Sequence, residues 1–315
     1  MTAKPTWHFV DFAFNAGGNV RRNDSYNSGY STAGILVPLI YNLANAGIAP
    51  TATNSEFHSA VNSAYGSALA TVNKYWTVEV TGRNDWSSTL PKENASYFYP
   101  SVSSSLVLSD LFPALANNRW LSYLKARGGW ARVGSDAGPY QLATVYNGNS
   151  NKFGSLPQFS LANTANNANL KPEQTTAQEG GVELSILNDR LTFDGTYYVK
   201  KTRDQIIPLT TAPATGFSSA VINAGQISNR GFEASLTARP VRLSNGLTWN
   251  TTFNYLRNRS KVDSLYPGLA TIIIASQWSS NIEARQGQPY GVLFGYAYLR
   301  DSATGKRMTF LEFLS

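Results

Sequence analysis

Cysteine is missing from this chain, histidine and methionine occur twice each, and charged residues make up only 14% of its 315 positions. Without cysteine there is no disulfide framework and no thiolate metal site. His8 and His58 stand far apart, and neither has the neighbours in sequence that a histidine metal cluster or a Ser-His-Asp relay requires. No metal and no cofactor is therefore expected. Charge at this level falls well short of the roughly one quarter usual in a soluble domain. Long apolar runs are missing too. The best candidate, Ile35 to Leu43, is short and interrupted by Pro38 and Asn42, which excludes a membrane-spanning helix. The formal charge of +7 does not signal nucleic acid, because the basic residues are scattered and form only doublets such as Arg21-Arg22, Lys200-Lys201 and Lys306-Arg307. The charge reads instead as solvated strand ends and loops, with some attraction to anionic lipid head groups.

What the chain does have is aromatic residues, at 12%, and abundant Ser, Thr, Asn and Gly. Those residues suit short strands more than helices. Period-two alternation bears this out at Tyr75 to Asp85, where Trp76, Val78 and Val80 alternate with Thr77, Glu79, Thr81, Arg83 and Asp85. The same pattern recurs at Leu191 to Lys201 and at Gly231 to Arg239. Further strands are predicted at Trp7 to Val20, Val61 to Val72, Tyr97 to Ser109, Leu121 to Val133, Glu173 to Leu187 and Leu247 to Ser260, with a weaker one within Ala270 to Glu283.

The connections discriminate among all-β folds. Short ones (Asn73-Lys74, Asn188-Asp189, Pro240 to Gly246 and the somewhat longer Asp110 to Trp120) alternate with long polar ones: Arg21 to Ala60, Trp86 to Ser96, Gly134 to Pro172 and Asp204 to Gly225. A Greek-key sandwich has no reason to place a long loop at every second connection. An up-and-down transmembrane barrel does, since its hairpins close tightly on one side of the membrane and open into long loops on the other. The strands also reach the roughly 9 to 11 tilted residues that span a bilayer. The expectation is an all-β, antiparallel, up-and-down transmembrane β-barrel that is incomplete, with about nine to ten strands. Two features prompt the word incomplete. The start, Met1 to Trp7, carries no apolar secretory core, and the segment after Lys306 supplies no evident closing strand.

The motifs narrow this further. Gly82-Arg83-Asn84-Asp85-Trp86-Ser87-Ser88-Thr89-Leu90-Pro91 is followed in order by Tyr97-Phe98-Tyr99-Pro100-Ser101-Val102-Ser103 and by Leu124-Lys125-Ala126-Arg127 with Val133-Gly134. Then come Asn169-Leu170-Lys171-Pro172-Glu173, Asn223-Ala224-Gly225 and Asn229-Arg230-Gly231-Phe232-Glu233. This ordered set resembles the SusC/RagA family of TonB-linked outer-membrane transporters of Bacteroidetes, over nearly the whole chain. The resemblance implies that residues 1–315 are part of a barrel domain, without counterparts of the family's plug and N-terminal extension. It implies a place in the outer membrane and import of oligosaccharides or peptides driven through the TonB complex. It also implies a SusD-like lipoprotein partner over the extracellular mouth.

An enzyme is not expected. Carboxylate pairs such as Glu79 with Asp85, or Glu179 with Glu183, imitate a glycosidase pair, yet on a polar barrel lumen they read as solvated charges beside Arg83 and Lys125. Asn84 and Asp85 are expected to set the turn that leaves their strand, and Pro172 to fix the backbone ahead of the next one. If the chain touches substrate, the Gly134 to Pro172 loop is the place: Tyr140, Tyr146 and Phe153 offer stacking, and Asn147, Asn149 and Asn151 offer amide hydrogen bonds. The other readings are a surface-exposed carbohydrate-binding or adhesin-like β protein using the same loops, and a soluble carbohydrate-active enzyme.

Overall fold

The computed structural model describes residues 2–3, 6–7, 9–112, 114, 120–296 and 298–307. His8 and the segment after Arg307 lie outside them, as does most of the connection around 113–119. Nine long strands form one antiparallel meander: β1 (Val10–Ser31), β2 (Thr51–Val72), β3 (Trp76–Ser87), β4 (Ser96–Val107), β5 (Leu121–Ser135), β6 (Glu173–Ile186), β7 (Leu191–Arg203), β8 (Gln226–Arg242) and β9 (Thr248–Ser264). The short strands Thr2–Ala3 and Thr6–Trp7 pair on the free side of β1 and bring the sheet to 11 strands. The sheet does not close on itself among the described residues. No helix among them is long and apolar enough to cross a membrane, which says nothing about strands.

The sheet is built outside-in. One row of paired residues, Phe14, Ala68, Val80, Val102 and Trp130, runs across five strands. The adjacent row, on the opposite face, is Asn15, Ser67, Thr81, Ser101 and Ala131, and within it Thr81 and Ser101 share a hydrogen bond of 2.6 Å. Exposure runs against the soluble rule. Val80 is 52% exposed and Phe98 59%, while Asp85 on the polar face is 6% exposed. A water-soluble sheet would bury the apolar face and solvate the other. The reverse arrangement places the apolar face in lipid and the polar face in the lumen of a barrel.

Sequence chemistry explains the tight turns. Asn73 and Lys74 both have positive φ (47° and 69°), and the Tyr75 amide donates to the Val72 carbonyl at 3.2 Å. Both central residues are left-handed, as in the primed turns whose twist matches the flanking strands, and Asn tolerates that backbone; Val72 pairs with Trp76, so Tyr75 is an extra residue before β3. Asn188 and Asp189 repeat the left-handed pair between β6 and β7.

Several boundaries depart from the sequence reading. Arg21 to Ala60, expected as a loop, is largely strand: β1 and β2 pair without interruption from Val10 opposite Val72 to Ser31 opposite Thr51. Only Val61 onwards also pairs with β3, so the rest of this hairpin projects beyond the wall. There both faces meet water, and no apolar alternation is needed to hold a strand. Trp7, expected inside the first strand, instead pairs back on Val10 across a turn. The segment Ala270 to Glu283 is a hairpin of Thr271–Gln277 and Ser280–Arg285, extended by Val292–Gly295 into a separate three-stranded sheet. Asp204 to Gly225 likewise contains Ile206–Thr210 and Ser219–Asn223, which form a small sheet with Thr164–Ala165.

Candidate functional site at the long-loop end

The long connections all leave the same end of the wall, and three of them fold onto one another. Leu170, between β5 and β6, is fully buried. Around it pack Leu90 from the β3–β4 connection, Val221 from the β7–β8 connection and Ala137, with Tyr97, Leu142 and Ile206 at the margin. Asn94 Nδ2 donates to the Leu170 carbonyl at 3.0 Å. The Asn223 side chain clamps the next residue: its Oδ1 accepts the Lys171 amide at 2.8 Å, and its Nδ2 donates to the carbonyls of Lys171 (2.8 Å) and Asp204 (2.9 Å). Two motifs far apart in sequence, Asn169 to Glu173 and Asn223 to Gly225, are thus one structural unit. Pro172 stands directly before β6, as its fixed φ suits.

The Gly82 to Pro91 motif is a polar hub on the lumen face. Asp85 accepts from Arg83 Nε at 2.8 Å and from the Tyr99 hydroxyl, and Arg83 Nη2 donates to Ser63 Oγ at 2.8 Å. The Arg83 guanidinium carbon stands 5.9 Å from the ring centres of both Tyr65 and Tyr99. Asn84 and Asp85 therefore do not set the turn; β3 continues past them to Ser87 because Asp85 is already satisfied by neighbouring strands. The turn residues are Ser87, which donates to Asp136 Oδ2 at 2.5 Å, and Thr89, whose amide donates to Ser87 Oγ at 3.3 Å. Further along the lumen face Glu183 lies 3.8 Å from Lys125. The carboxylates Asp85 and Glu183, one from each glycosidase-like pair, are each matched to a cation.

The structure divides the proposed substrate residues into two groups. Tyr140, at positive φ (61°), stacks on Phe57 with ring centres 6.1 Å apart, and its hydroxyl accepts the His58 amide at 3.2 Å. It ties the β5–β6 connection to the projecting β1–β2 hairpin. Tyr146, Asn147, Asn149 and Phe153 lie instead on a second hairpin, Tyr146–Phe153 with Leu156–Leu161. Tyr146 pairs with Leu161 and Gly148 with Phe159. Asn149 Oδ1 accepts from Ser160 Oγ at 3.0 Å. Tyr146 and Phe153 are exposed. Tyr146 and Asn147, being neighbours on a strand, point to opposite faces.

On the projecting hairpin, His58 sits between two carboxylates: Nδ1 lies 2.6 Å from Asp24 Oδ1 and Nε2 2.7 Å from Glu56 Oε1. Tyr26 meets the ring edge-on at 5.8 Å. Hydrogen bonds to Asp24 and then Glu56 raise the His58 pKa above its ordinary value, since both ring nitrogens can donate only in the imidazolium.

Sequence reasoning missed a cavity of about 440 Å³ between the two small loop sheets, lined by Ile207, Pro208, Leu265, Ile272, Ile273 and Tyr290 among others. Beside it Leu209, Val262, Ile272 and Ala284 form a second buried cluster. The available signal was the run Ile272-Ile273-Ile274, which a single-strand reading of that segment left without a partner surface.

Comparison with known proteins agrees with this architecture. Residues 2–309 match the family model described as "TonB dependent receptor-like, beta-barrel". The chain is 29% identical over 189 residues to TonB-dependent receptor P26 of Formosa agariphila, covering 59% of this chain and 19% of that protein. It is 29% identical over 195 residues to TonB-dependent receptor SusC of Bacteroides thetaiotaomicron, covering 60% and 19% respectively. It therefore spans about a fifth of the length of these curated relatives. Among solved structures, the RagAB peptide transporter superposes with a TM-score of 0.78 at 22% identity, over 97% of this chain and 34% of that one, a likeness of fold.

Proposed function

We propose, from the premise that this chain belongs to the TonB-dependent receptor β-barrel family, that it forms part of the wall and mouth of an outer-membrane importer. The observation that carries this reading is the pair of adjacent rows across β1 to β5, apolar outward from Phe14 to Trp130 and polar inward from Asn15 to Ser101. Such a sheet is stable where its outer face meets lipid and its inner face meets an aqueous lumen. The cargo class is oligosaccharides or peptides, taken up with energy delivered through TonB and with a SusD-like lipoprotein over the mouth. The fold shared with a peptide transporter supports the peptide part of that class. At the mouth, the hairpin bearing Tyr146, Asn147, Asn149 and Phe153 meets cargo, and Tyr140 holds its base against the β1–β2 hairpin.

The test is uptake by cells carrying the full-length gene. The protein is expected in the outer-membrane fraction, and labelled cargo is expected to enter only while the inner-membrane proton gradient stands. A protein recovered from the soluble fraction, or uptake that survives loss of the gradient, overturns the reading.

A further inference from the structure

The cavity between the two loop sheets has a chemistry that separates the two cargo classes. Its volume of about 440 Å³ falls within the range of roughly 300 to 1,000 Å³ typical of small-molecule sites. Ile207 and Pro208 come from the β7–β8 connection, and Ile272, Ile273 and Ile274 from the hairpin after β9. The register of that hairpin shifts between Ile273 and Ala275. An extra residue in one strand re-aims its side chains, which explains how three consecutive isoleucines line one cavity.

The polar groups are few. Ser219 is occupied by Thr164 at 2.9 Å, whereas the side chains of Gln205, Thr210 and Tyr290 line the cavity with no hydrogen-bond partner among the described residues. The strand Thr271–Gln277 is the outer member of its sheet, paired on one side only by Ser280–Arg285. Ile206–Thr210 is the outer member of the other, but its edge offers mainly carbonyl acceptors, since Pro208 has no N–H and the Ile206 amide donates to Glu173 Oε1 at 2.8 Å. A ligand that matches these features carries an apolar group for the cavity and main-chain-like donors and acceptors for the unpaired strand edges.

We infer that this cavity is a subsite for an apolar side chain of an extended oligopeptide. A neutral glycan fits poorly. Its hydroxyls would be stripped of water against isoleucine walls with only three side chains to receive them, and each unpaired hydroxyl is costly. A leucine or phenylalanine side chain gains from the same burial. The inference rests on the import reading for its biological sense, but it is tested by binding alone.

The experiment uses full-length protein in detergent and calorimetric titration with three probes: the pentapeptide Ala-Gly-Leu-Gly-Ala, its Leu-to-Asp counterpart, and maltoheptaose. The leucine peptide is expected to bind at least tenfold more tightly than the aspartate peptide, and maltoheptaose is expected not to displace it. Ile273→Glu places a charge at a half-exposed wall position, and Thr210→Trp fills the cavity from an exposed one. Each is expected to weaken the leucine peptide at least tenfold while thermal unfolding stays at the wild-type temperature. Wild-type affinity in both variants, or displacement by maltoheptaose, overturns the subsite. Outer-membrane location is scored separately. An inserted protein that ignores the leucine peptide overturns this inference alone. A soluble protein that binds it in a cavity-dependent way supports the subsite while overturning the import reading.

Discussion

Arg127 reaches Asp194 by lying across the strand between them. Its Nη1 and Nη2 donate to the two carboxylate oxygens at 2.8 and 2.6 Å, and Nη2 also donates to Thr196 Oγ1 at 2.7 Å. The strand it crosses is β6, and Gly181 is the residue beneath. A Cβ added there would stand 2.8 Å from the Gly195 carbonyl oxygen and 3.0 Å from Arg127 Nε, so the backbone itself resists any side chain. Gly181→Val is expected to cost about 1 to 3 kcal/mol through overpacking, read as a lower temperature for loss of the folded band on semi-native gels. Arg127→Ala, which removes the charge pair and leaves Gly181 free, is expected to cost less. Equal stability of Gly181→Val and wild type would show that the guanidinium does not need this path.

The orientation of the wall gives a paired prediction. Val80 and Thr81 are adjacent on β3 and face opposite ways. Val80→Arg puts a charge on the lipid face, at a cost of about 2 to 4 kcal/mol near the bilayer midplane. Thr81→Arg puts the same charge in the lumen, where water and neighbouring polar groups receive it. Outer-membrane yield of the full-length protein should fall for the first and hold for the second. The opposite order would mean that the faces are reversed.

That contrast also explains what was legible in the sequence. Val78 and Val80 against Thr77 and Glu79 could be read because two different solvents press on the two faces of β3, and the difference is written as alternation. Asn23 to Ser31 could not be read as strand, since the hairpin beyond the wall meets water on both sides and selects no pattern. At the loop end, the asparagine motif at Asn223 and the lysine-proline motif at Lys171 were visible separately. Their union depends on hydrogen bonds between residues 52 apart in sequence, which no local period records. The clearance at Gly181 is equally non-local. The cavity escaped because its walls come from two connections, one of them misread as a single spanning strand.

The projecting hairpin should respond to pH through His58. Hydrogen bonds first to Asp24 and then to Glu56 raise its pKa above the ordinary 6.5. A raised folded-state pKa means that the charged ring stabilises the hairpin in full below the unfolded value, and that this contribution is lost as pH rises through the folded value. Chymotryptic cleavage at Tyr41, in the tip of this hairpin, is therefore expected to accelerate across that rise relative to a His58→Gln protein. His58→Gln removes the titration, so a cleavage ratio that stays constant from acid to alkaline pH would rule out the coupling.

The loop core makes the mouth a unit that can fail separately from the wall. Leu170 has no exposed surface and joins the β3–β4 and β7–β8 connections through Leu90 and Val221, while every wall strand keeps its own ladder of cross-strand pairs. Leu170→Ala leaves a cavity in that cluster and is expected to cost about 2 to 5 kcal/mol of local stability. Of the residues in that cluster, only Tyr97, at the start of β4, belongs to the wall. Outer-membrane insertion is therefore expected to persist while proteolysis within residues 136–172 and 204–225 rises at least tenfold. Replacing Asn223 by Ala should loosen the same two segments from the polar side, because it removes the three hydrogen bonds that clamp Lys171 and Asp204. Loss of insertion in Leu170→Ala would show instead that the loops and wall fold as one cooperative body, and resistance to proteolysis in both variants would show that the loops are held from elsewhere.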